Sequence, residues 1–336
     1  MRIGNQEIGN FLKPYVVAEV SCNHRGDLHS ALELIEIARW AGADAVKFQA
    51  YTPDTITLDC KKPDFIIQDG LWKGKTLYEL YKKTHTPFEW FPRLFKQAEK
   101  TGISIFASVF DKSSVDFLDR LGCPAFKIAS MELIDTPLIS HAAGTGKPII
   151  ISTGMGSQRE ISSAYAAVGL APVAFLHCTS EYPQTVEWSD LHGIRKLRDV
   201  IRGDVPIGVS DHTPGNVVVP VAATALGAAL IEKHLKPMEA SGSEDDEFSL
   251  NPEAFKAMVE LVNCAHQACM QREFENNPSR QLRRSLYAVS DIKEGEPFTE
   301  TNLRSIRPGY GLAPSHLSGL LGKKADKTYR KGDRIT

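Results

Sequence analysis

Lys47 and Lys127 each close a short β-rich run, and Ser108, Ser130, Ser152 and Ser210 stand at or just past the ends of others. Ammonium groups backed by hydroxyls make a pocket for a small polyanion, such as one phosphate plus one carboxylate. The same lysines permit a second chemistry, in which one of them is desolvated, loses its proton and attacks a carbonyl as a Schiff-base aldolase does. The residues alone leave both open. His212 and His234 end the last two runs of the series, so their imidazoles can share one divalent metal, with Glu19 or Asp211 nearby. A lone histidine is more often a satisfied core residue, and it is the pairing that favours the metal. His29, His85 and His266 fall on helical patterns or loops and are read as structural.

Other polar groups end the same runs: Gln49 after Lys47, Thr179, Ser180 and Tyr182 after His177, and Glu232 beside His234. A charge at the end of an apolar strand is costly unless it has a partner or a task. One such residue would mean little, but eight runs share the pattern. The acidic stretch 244–247 follows the last run. Such a stretch is usually a solvated loop, yet its position lets one carboxylate reach the same place.

The elements that must position these groups alternate. Eight β-rich runs are expected at 15–20, 45–49, 103–109, 125–128, 148–153, 173–178, 206–210 and 230–234. Helical patterns follow them at 28–41, 88–101, 113–121, 137–144, 157–168, 190–201, 216–226 and 252–271. Unbroken apolar runs suit parallel strands buried on both faces, and eight βα units argue for a closed (β/α)8 barrel, an α/β fold whose active site lies at the strands' C-terminal ends. An insertion at 51–87, containing Trp72, Tyr78 and Tyr81, separates the second strand from its helix and would lie over that mouth. A packed surface excursion is the competing reading. Residues 1–8 read as a tight hairpin.

After residue 271 the character changes. The stretch 272–283 reads as a linker, and 284–336 as a small β-rich domain in which the segments starting at Asp291 and Tyr329 echo each other. So small a domain needs a docking partner, either the barrel (1–271) or another subunit. Hydrophobic content of 42%, charged content of 24% and a net charge of -2 describe an ordinary soluble chain with no electrostatic footprint for nucleic acid or an anionic membrane. No signal-peptide pattern opens it, no 18-residue apolar run interrupts it, and its six scattered cysteines include no CxxC pair, so a cytoplasmic enzyme with reduced thiols is expected. Cys178 sits among the candidate site residues, but nothing marks it as a nucleophile.

In order along the chain stand Ala18-Glu19, Asn23-His24, Lys47-Phe-Gln49, Lys127-Ile-Ala-Ser130, Ser152-Thr-Gly-Met155, Ser210-Asp-His212 and Glu232-Lys-His234. With this set the chain resembles the sialic acid synthase family over essentially its whole length. The tail, through Arg284-Ser-Leu-Tyr287 and Arg307-Pro-Gly309, resembles that family's antifreeze-like (SAF) domain. Gly70-Leu-Trp72, Leu77-Tyr-Glu-Leu-Tyr81 and Thr86-Pro-Phe-Glu-Trp90 look like the pseudaminic acid synthases, and Ser180 stands where N-acetylneuraminate synthases tend to have asparagine.

The resemblance implies metal-dependent condensation of phosphoenolpyruvate with 2,4-diacetamido-2,4,6-trideoxy-L-altrose, or alternatively with the sugar of an N-acetylneuraminate or legionaminate synthase. It implies Glu19, His212 and His234 as catalytic, with the two histidines holding manganese, or alternatively magnesium or cobalt. Lys47, Ser108, Lys127, Ser130, Ser152 and Ser210 would bind phosphoenolpyruvate. Gln49, Ser180, Tyr182, Glu232 and Asp245 would face the sugar, and Arg307 would come from the other subunit of a homodimer that swaps its SAF domains. A non-catalytic sugar- or ice-binding protein is the rival suggested by the tail alone.

Overall fold

The computed structural model describes residues 1–238, 242–270 and 278–336. Two compact units make up the chain, 1–269 and 270–336. In the first, a hairpin of β1 (Arg2–Ile3) and β2 (Gln6–Glu7) precedes eight parallel strands: β3 (Tyr15–Glu19), β4 (Ala45–Ala50), β5 (Ser104–Val109), β6 (Phe126–Ile128), β7 (Ile149–Ser152), β8 (Val173–His177), β9 (Ile207–Asp211) and β10 (Leu230–His234). Each pairs with the next in sequence, and β10 returns to β3, closing the barrel. All eight expected strands form, within one or two residues of the expected ends.

Helices follow the strands: α1 (Leu28–Trp40) after β3, α2 (Pro53–Ile56) and α3 (Leu77–Thr84) after β4, then α4 (Phe91–Thr101), α5 (Lys112–Arg120), α6 (Thr136–Ala143), α7 (Gln158–Val168), α8 (His192–Val200), α9 (Val218–Ala225) and α10 (Pro252–Cys269). Local chemistry starts them. Asp27 caps α1 by accepting from the amides of His29 and Ser30, and Ser157 with Glu160 forms a capping box on α7. Gly102 ends α4 with φ 71°, a conformation in which a side chain would be strained. Strand residues such as Val16, Val46, Phe106, Ile151 and Phe175 are buried, as a parallel sheet covered by helices requires.

The insertion has secondary structure of its own. It folds into α2, a 3-10 turn at Pro63–Phe65, and α3, which begins at a Thr76–Glu79 capping box. Helix α4 is preceded by a 3-10 turn, Phe88–Trp90, because Pro92 in the first turn of α4 has no amide to donate to an earlier one. The linker expected at 272–283 lies partly outside the described residues. Its last part is a 3-10 turn, Pro278–Leu282.

The second unit holds an antiparallel pair, β11 (Ser285–Ala288) with β12 (Leu303–Ile306), and a short α11 (Leu317–Leu320). The two echoing segments meet each other: Ile292 and Tyr329 exchange backbone hydrogen bonds at 2.8 and 2.9 Å. Leu286, Ile292, Phe298, Leu303, Tyr329 and Ile335 form this unit's own small core. Among the described residues, no helix is long and apolar enough to cross a membrane.

Barrel closure leaves no room at Gly208 on β9. A Cβ there would meet the Leu230 carbonyl oxygen and stand 2.8 Å from a Leu176 methyl. Backbone cannot move aside as a flexible side chain can, so Gly208→Ala is expected to destabilise the chain by about 1–3 kcal/mol or more. Thermal unfolding followed by circular dichroism should show a midpoint several degrees lower, and an unchanged midpoint would contradict this packing.

Candidate active site

Register decides which side chains meet. In parallel strands, paired residues point to the same side, so the Glu19–Lys47 pairing of β3 with β4 puts that carboxylate and ammonium together inside the barrel. His234 pairs with Glu19, Glu232 with Ser210, and Ser108 with both Gln49 and Lys127. The result is one connected polar cluster at the strands' C-terminal ends.

Lys47 Nζ lies 2.9 Å from Glu19 Oε2, donates to Ser108 Oγ at 3.0 Å, and stands 3.5 Å from Glu232 Oε1. Lys127 Nζ donates to Ser152 Oγ at 2.7 Å and lies 3.7 Å from the same Glu232 oxygen, which also accepts from Ser210 Oγ at 2.9 Å. Gln49 ties Glu19 Oε1 to Ser21 Oγ, with 2.9 Å to each. All four charged groups are essentially without solvent.

Burial and neighbours drive their proton affinities apart. Burial raises the Glu19 carboxyl above its ordinary value, and Lys47 offsets this only in part. Burial acts on Glu232 in the same direction, but Lys127 and Lys47 together outweigh it and hold that carboxyl at about 2. Burial pulls Lys47 down, yet the carboxylates of Glu19 and Glu232 overcome it and leave the ammonium more firmly protonated than usual. For Lys127 burial wins and its affinity falls. Two carboxylates with opposed shifts form the pattern of an acid–base site, Glu232 fixed as an anion and Glu19 able to hold a proton. A protonated Lys47 is no nucleophile, so a Schiff base would have to form on Lys127.

His212 and His234 lie side by side, ring centroids 5.4 Å apart, packed on Phe248 and, for His212, on Tyr182 at 4.4 Å. Burial holds His212 down at about 3 and, with His212 as a neighbour, pushes His234 well below its ordinary value. Both rings are therefore neutral, the form that binds a metal. The Nδ1 atom of each is buried without a hydrogen bond; Asp245 Oδ2 lies 3.5 Å from that of His234. Two orphaned, neutral imidazole nitrogens fit a divalent cation whose other ligands are water or substrate oxygens. Among the described residues no group of three or more His, Cys, Asp or Glu forms a fuller cage.

Of the two carboxylates expected near the metal pair, Glu19 or Asp211, it is Asp211 that does not join it. With period-2 alternation, Ser210 and His212 face inward and Asp211 faces out. It accepts from Lys233 Nζ at 2.7 Å and from Thr213, both also fully buried. That ion pair locks the ends of β9 and β10 from behind. Removing one partner of such a pair strands the other charge, so Lys233→Met should cost about 3–5 kcal/mol in denaturant unfolding. Retention of full stability would show that the pair is not a structural lock.

A cavity of about 170 Å³ opens beside the cluster. Its inner side is Ser21, Gln49, His234, Tyr182 and Asp245; its outer side is Tyr51, Trp72, Leu80, Tyr81 and Met131. The insertion thus does cover the mouth. Of the residues expected to face a sugar, Gln49, Tyr182 and Asp245 line this cavity. Glu232 sits below with the lysines, and Ser180 is turned toward Gly154, whose amide donates to Ser130 Oγ at 3.1 Å. Ser130 also contacts Cys178 Sγ at 3.2 Å. Arg307 is an exposed residue of the second unit, just past β12.

Residue types at strand ends did not single out Glu132, which follows Ser130 in a 3-10 turn. Burial pushes its carboxyl up to about 7, and its Oε2 has no hydrogen bond. An acid two residues beyond a strand-end serine was the available signal. Nor did they single out Tyr51, Leu80 and Met131, because wall residues carry no chemistry that a motif could flag.

Comparison with known proteins adds to this geometry. Residues 34–273 match the NeuB family and residues 283–336 match the SAF domain. A Campylobacter jejuni protein named pseudaminic acid synthase is 43% identical over 98% of this chain and 98% of its own. A Helicobacter pylori protein of the same name is 40% identical over 94% of each. The crystal structure of an N-acetylneuraminic acid synthetase from Leptospira borgpetersenii, in complex with citrate, matches with a TM-score of 0.74 at 29% identity, covering 84% of this chain and 93% of that one.

Proposed function

The chain belongs to the NeuB family, and on that premise we propose that it is a pseudaminic acid synthase, joining phosphoenolpyruvate to 2,4-diacetamido-2,4,6-trideoxy-L-altrose with release of phosphate. The observation that carries the reading is the buried cluster of Glu19, Lys47, Lys127 and Glu232 beside a cavity roofed by the insertion. Identities of 43% and 40% to proteins of that name, against 29% to an N-acetylneuraminate enzyme, favour this sugar.

In this reading Lys47 and Lys127, with Ser108, Ser130, Ser152 and Ser210, bind the phosphate and carboxylate of phosphoenolpyruvate. Gln49, Tyr182 and Asp245 face the sugar. Carbon 3 of phosphoenolpyruvate attacks the sugar aldehyde, water adds to the resulting cation at carbon 2, and the tetrahedral intermediate collapses with C–O cleavage to release phosphate. Glu19 moves the protons, since its carboxyl is the one that burial allows to be either acid or base. Glu232, kept ionised, offsets the cation that develops next to it. A divalent cation on His212 and His234, manganese first, would supply Lewis acidity at the aldehyde oxygen. We place the enzyme in the cytoplasm as a homodimer, with Arg307 of a second copy completing the sugar side; the exposed guanidinium suits bidentate capture of a polar group.

Phosphate release should require phosphoenolpyruvate, sugar and divalent cation together. It should be fastest with the diacetamido trideoxy-L-altrose in a panel that also contains the legionaminate precursor and N-acetylmannosamine. Release without sugar, or a lysine adduct trapped by borohydride with pyruvate, would overturn the synthase. Glu19→Gln should lower kcat about 10²–10⁴-fold, while isothermal titration still detects phosphoenolpyruvate binding.

A further inference from the structure

We propose that the insertion carries the sugar specificity of this site: Trp72, Leu80 and the rings of Tyr51 and Tyr81 form an apolar wall for the methyl groups at the C4–C6 end of the substrate. The assignment rests on the synthase reading above and goes further, to the residues that select the sugar.

The cavity has two unlike sides. On the inner side, Gln49 and His234 adjoin Glu19; with the roles given above, the aldehyde carbon lies there and the far end of the sugar points at the insertion. That outer side is mainly ring and aliphatic surface, with the Tyr81 hydroxyl and the Trp72 indole N–H at its edges. The Tyr51 hydroxyl is already engaged with Thr84 Oγ1 at 2.8 Å, and Thr84 in turn donates to the Leu80 carbonyl at 3.0 Å. Tyr51 is thereby held so that its ring, braced edge-on by Tyr81 at 5.6 Å and Phe110 at 5.1 Å, forms the wall. Leu80 is buried and has no polar side-chain atom.

The wall is also fixed in place. Glu244, from the segment after β10, lines the same cavity and accepts from Lys83 Nζ at 2.7 Å and Lys75 Nζ at 3.2 Å, one on each side of Leu80 in the chain. A diacetamido trideoxy sugar presents a second acetyl methyl at C4 and a methyl at C6. N-acetylmannosamine presents hydroxyls at both, and against the ring and aliphatic faces of this wall they would lose more water contacts than they regain as hydrogen bonds.

The test compares the diacetamido sugar with an analogue carrying formamido in place of acetamido at C4, a difference of one methyl. The full-length enzyme is assayed with phosphoenolpyruvate and divalent cation. Wild type should prefer the acetamido sugar by about tenfold or more in kcat/KM, the range one methyl group supports in an apolar pocket. Trp72→Ala and Leu80→Ala should bring that preference to within about twofold through a higher KM for sugar, leaving the KM for phosphoenolpyruvate unchanged. Trp72 is only half-buried on a loop, so that variant carries the test if Leu80→Ala fails to fold. No preference in wild type, full preference retained in the variants, or equal losses for both sugars and phosphoenolpyruvate would overturn the wall. A wild type that turns over none of the sugars with phosphoenolpyruvate would sink the synthase reading, and this assignment with it.

Discussion

Four buried charges at one end of the barrel constrain the rest of the molecule. Glu19 and Glu232 face Lys47 and Lys127, their charges cancel, and none has water to fall back on. An unpaired ion there would cost several kcal/mol. The strands must therefore keep the register that brings the partners together, and the hydroxyls of Ser108, Ser152 and Ser210 must take up hydrogen bonds the ions leave over. A closed barrel does this naturally, because its strands end around one point. An anion that takes the two lysines competes with Glu232 for them, so its affinity is a difference between two sets of contacts rather than a sum of new ones.

The same alternation that aims these groups inward provides a support behind them. Asp211 and Lys233 sit one residue from the inward-facing Ser210, His212, Glu232 and His234 and must point the other way. Their ion pair, closed by Thr213, ties β9 to β10 where both histidines leave the sheet. The imidazoles therefore hold their spacing without a hydrogen bond on either Nδ1. Site and support are adjacent in sequence and on opposite faces in space.

Much of this was legible in the sequence because barrel strands leave two strong marks, an apolar run and a polar terminus. All eight strands could be placed, and five groups at the ends of four of them, Glu19, Lys47, Lys127, Glu232 and His234, do meet. Proximity to His212 in sequence makes Asp211 an alternative to Glu19 beside the histidines, but counting by twos from Ser210 turns it outward. The two helices of the insertion leave no periodic pattern to read, because α2 has four residues and α3 only eight. The Thr76-Leu-Tyr-Glu79 sequence was nonetheless a readable helix start. The division of polar residues between the lysine cluster and the cavity above it could not be read at all, since Glu232 and Ser180 differ from Gln49 and Tyr182 only in depth and direction.

The insertion shows how a segment with little stability of its own becomes a dependable surface. Eight residues of isolated helix are unstable in water, because nucleation costs more than so few hydrogen bonds return. Helix α3 is held by its capping box, by burial of Leu80, by the Tyr51–Thr84 hydrogen bond and by Glu244 between Lys75 and Lys83. Leu80, Tyr51 and Glu244 also line the cavity. The contacts that fold the segment are thus largely the contacts that shape the space beneath it. A change that loosens the helix must alter the cavity, whereas the ion cluster on the strand ends, anchored by barrel register, need not follow.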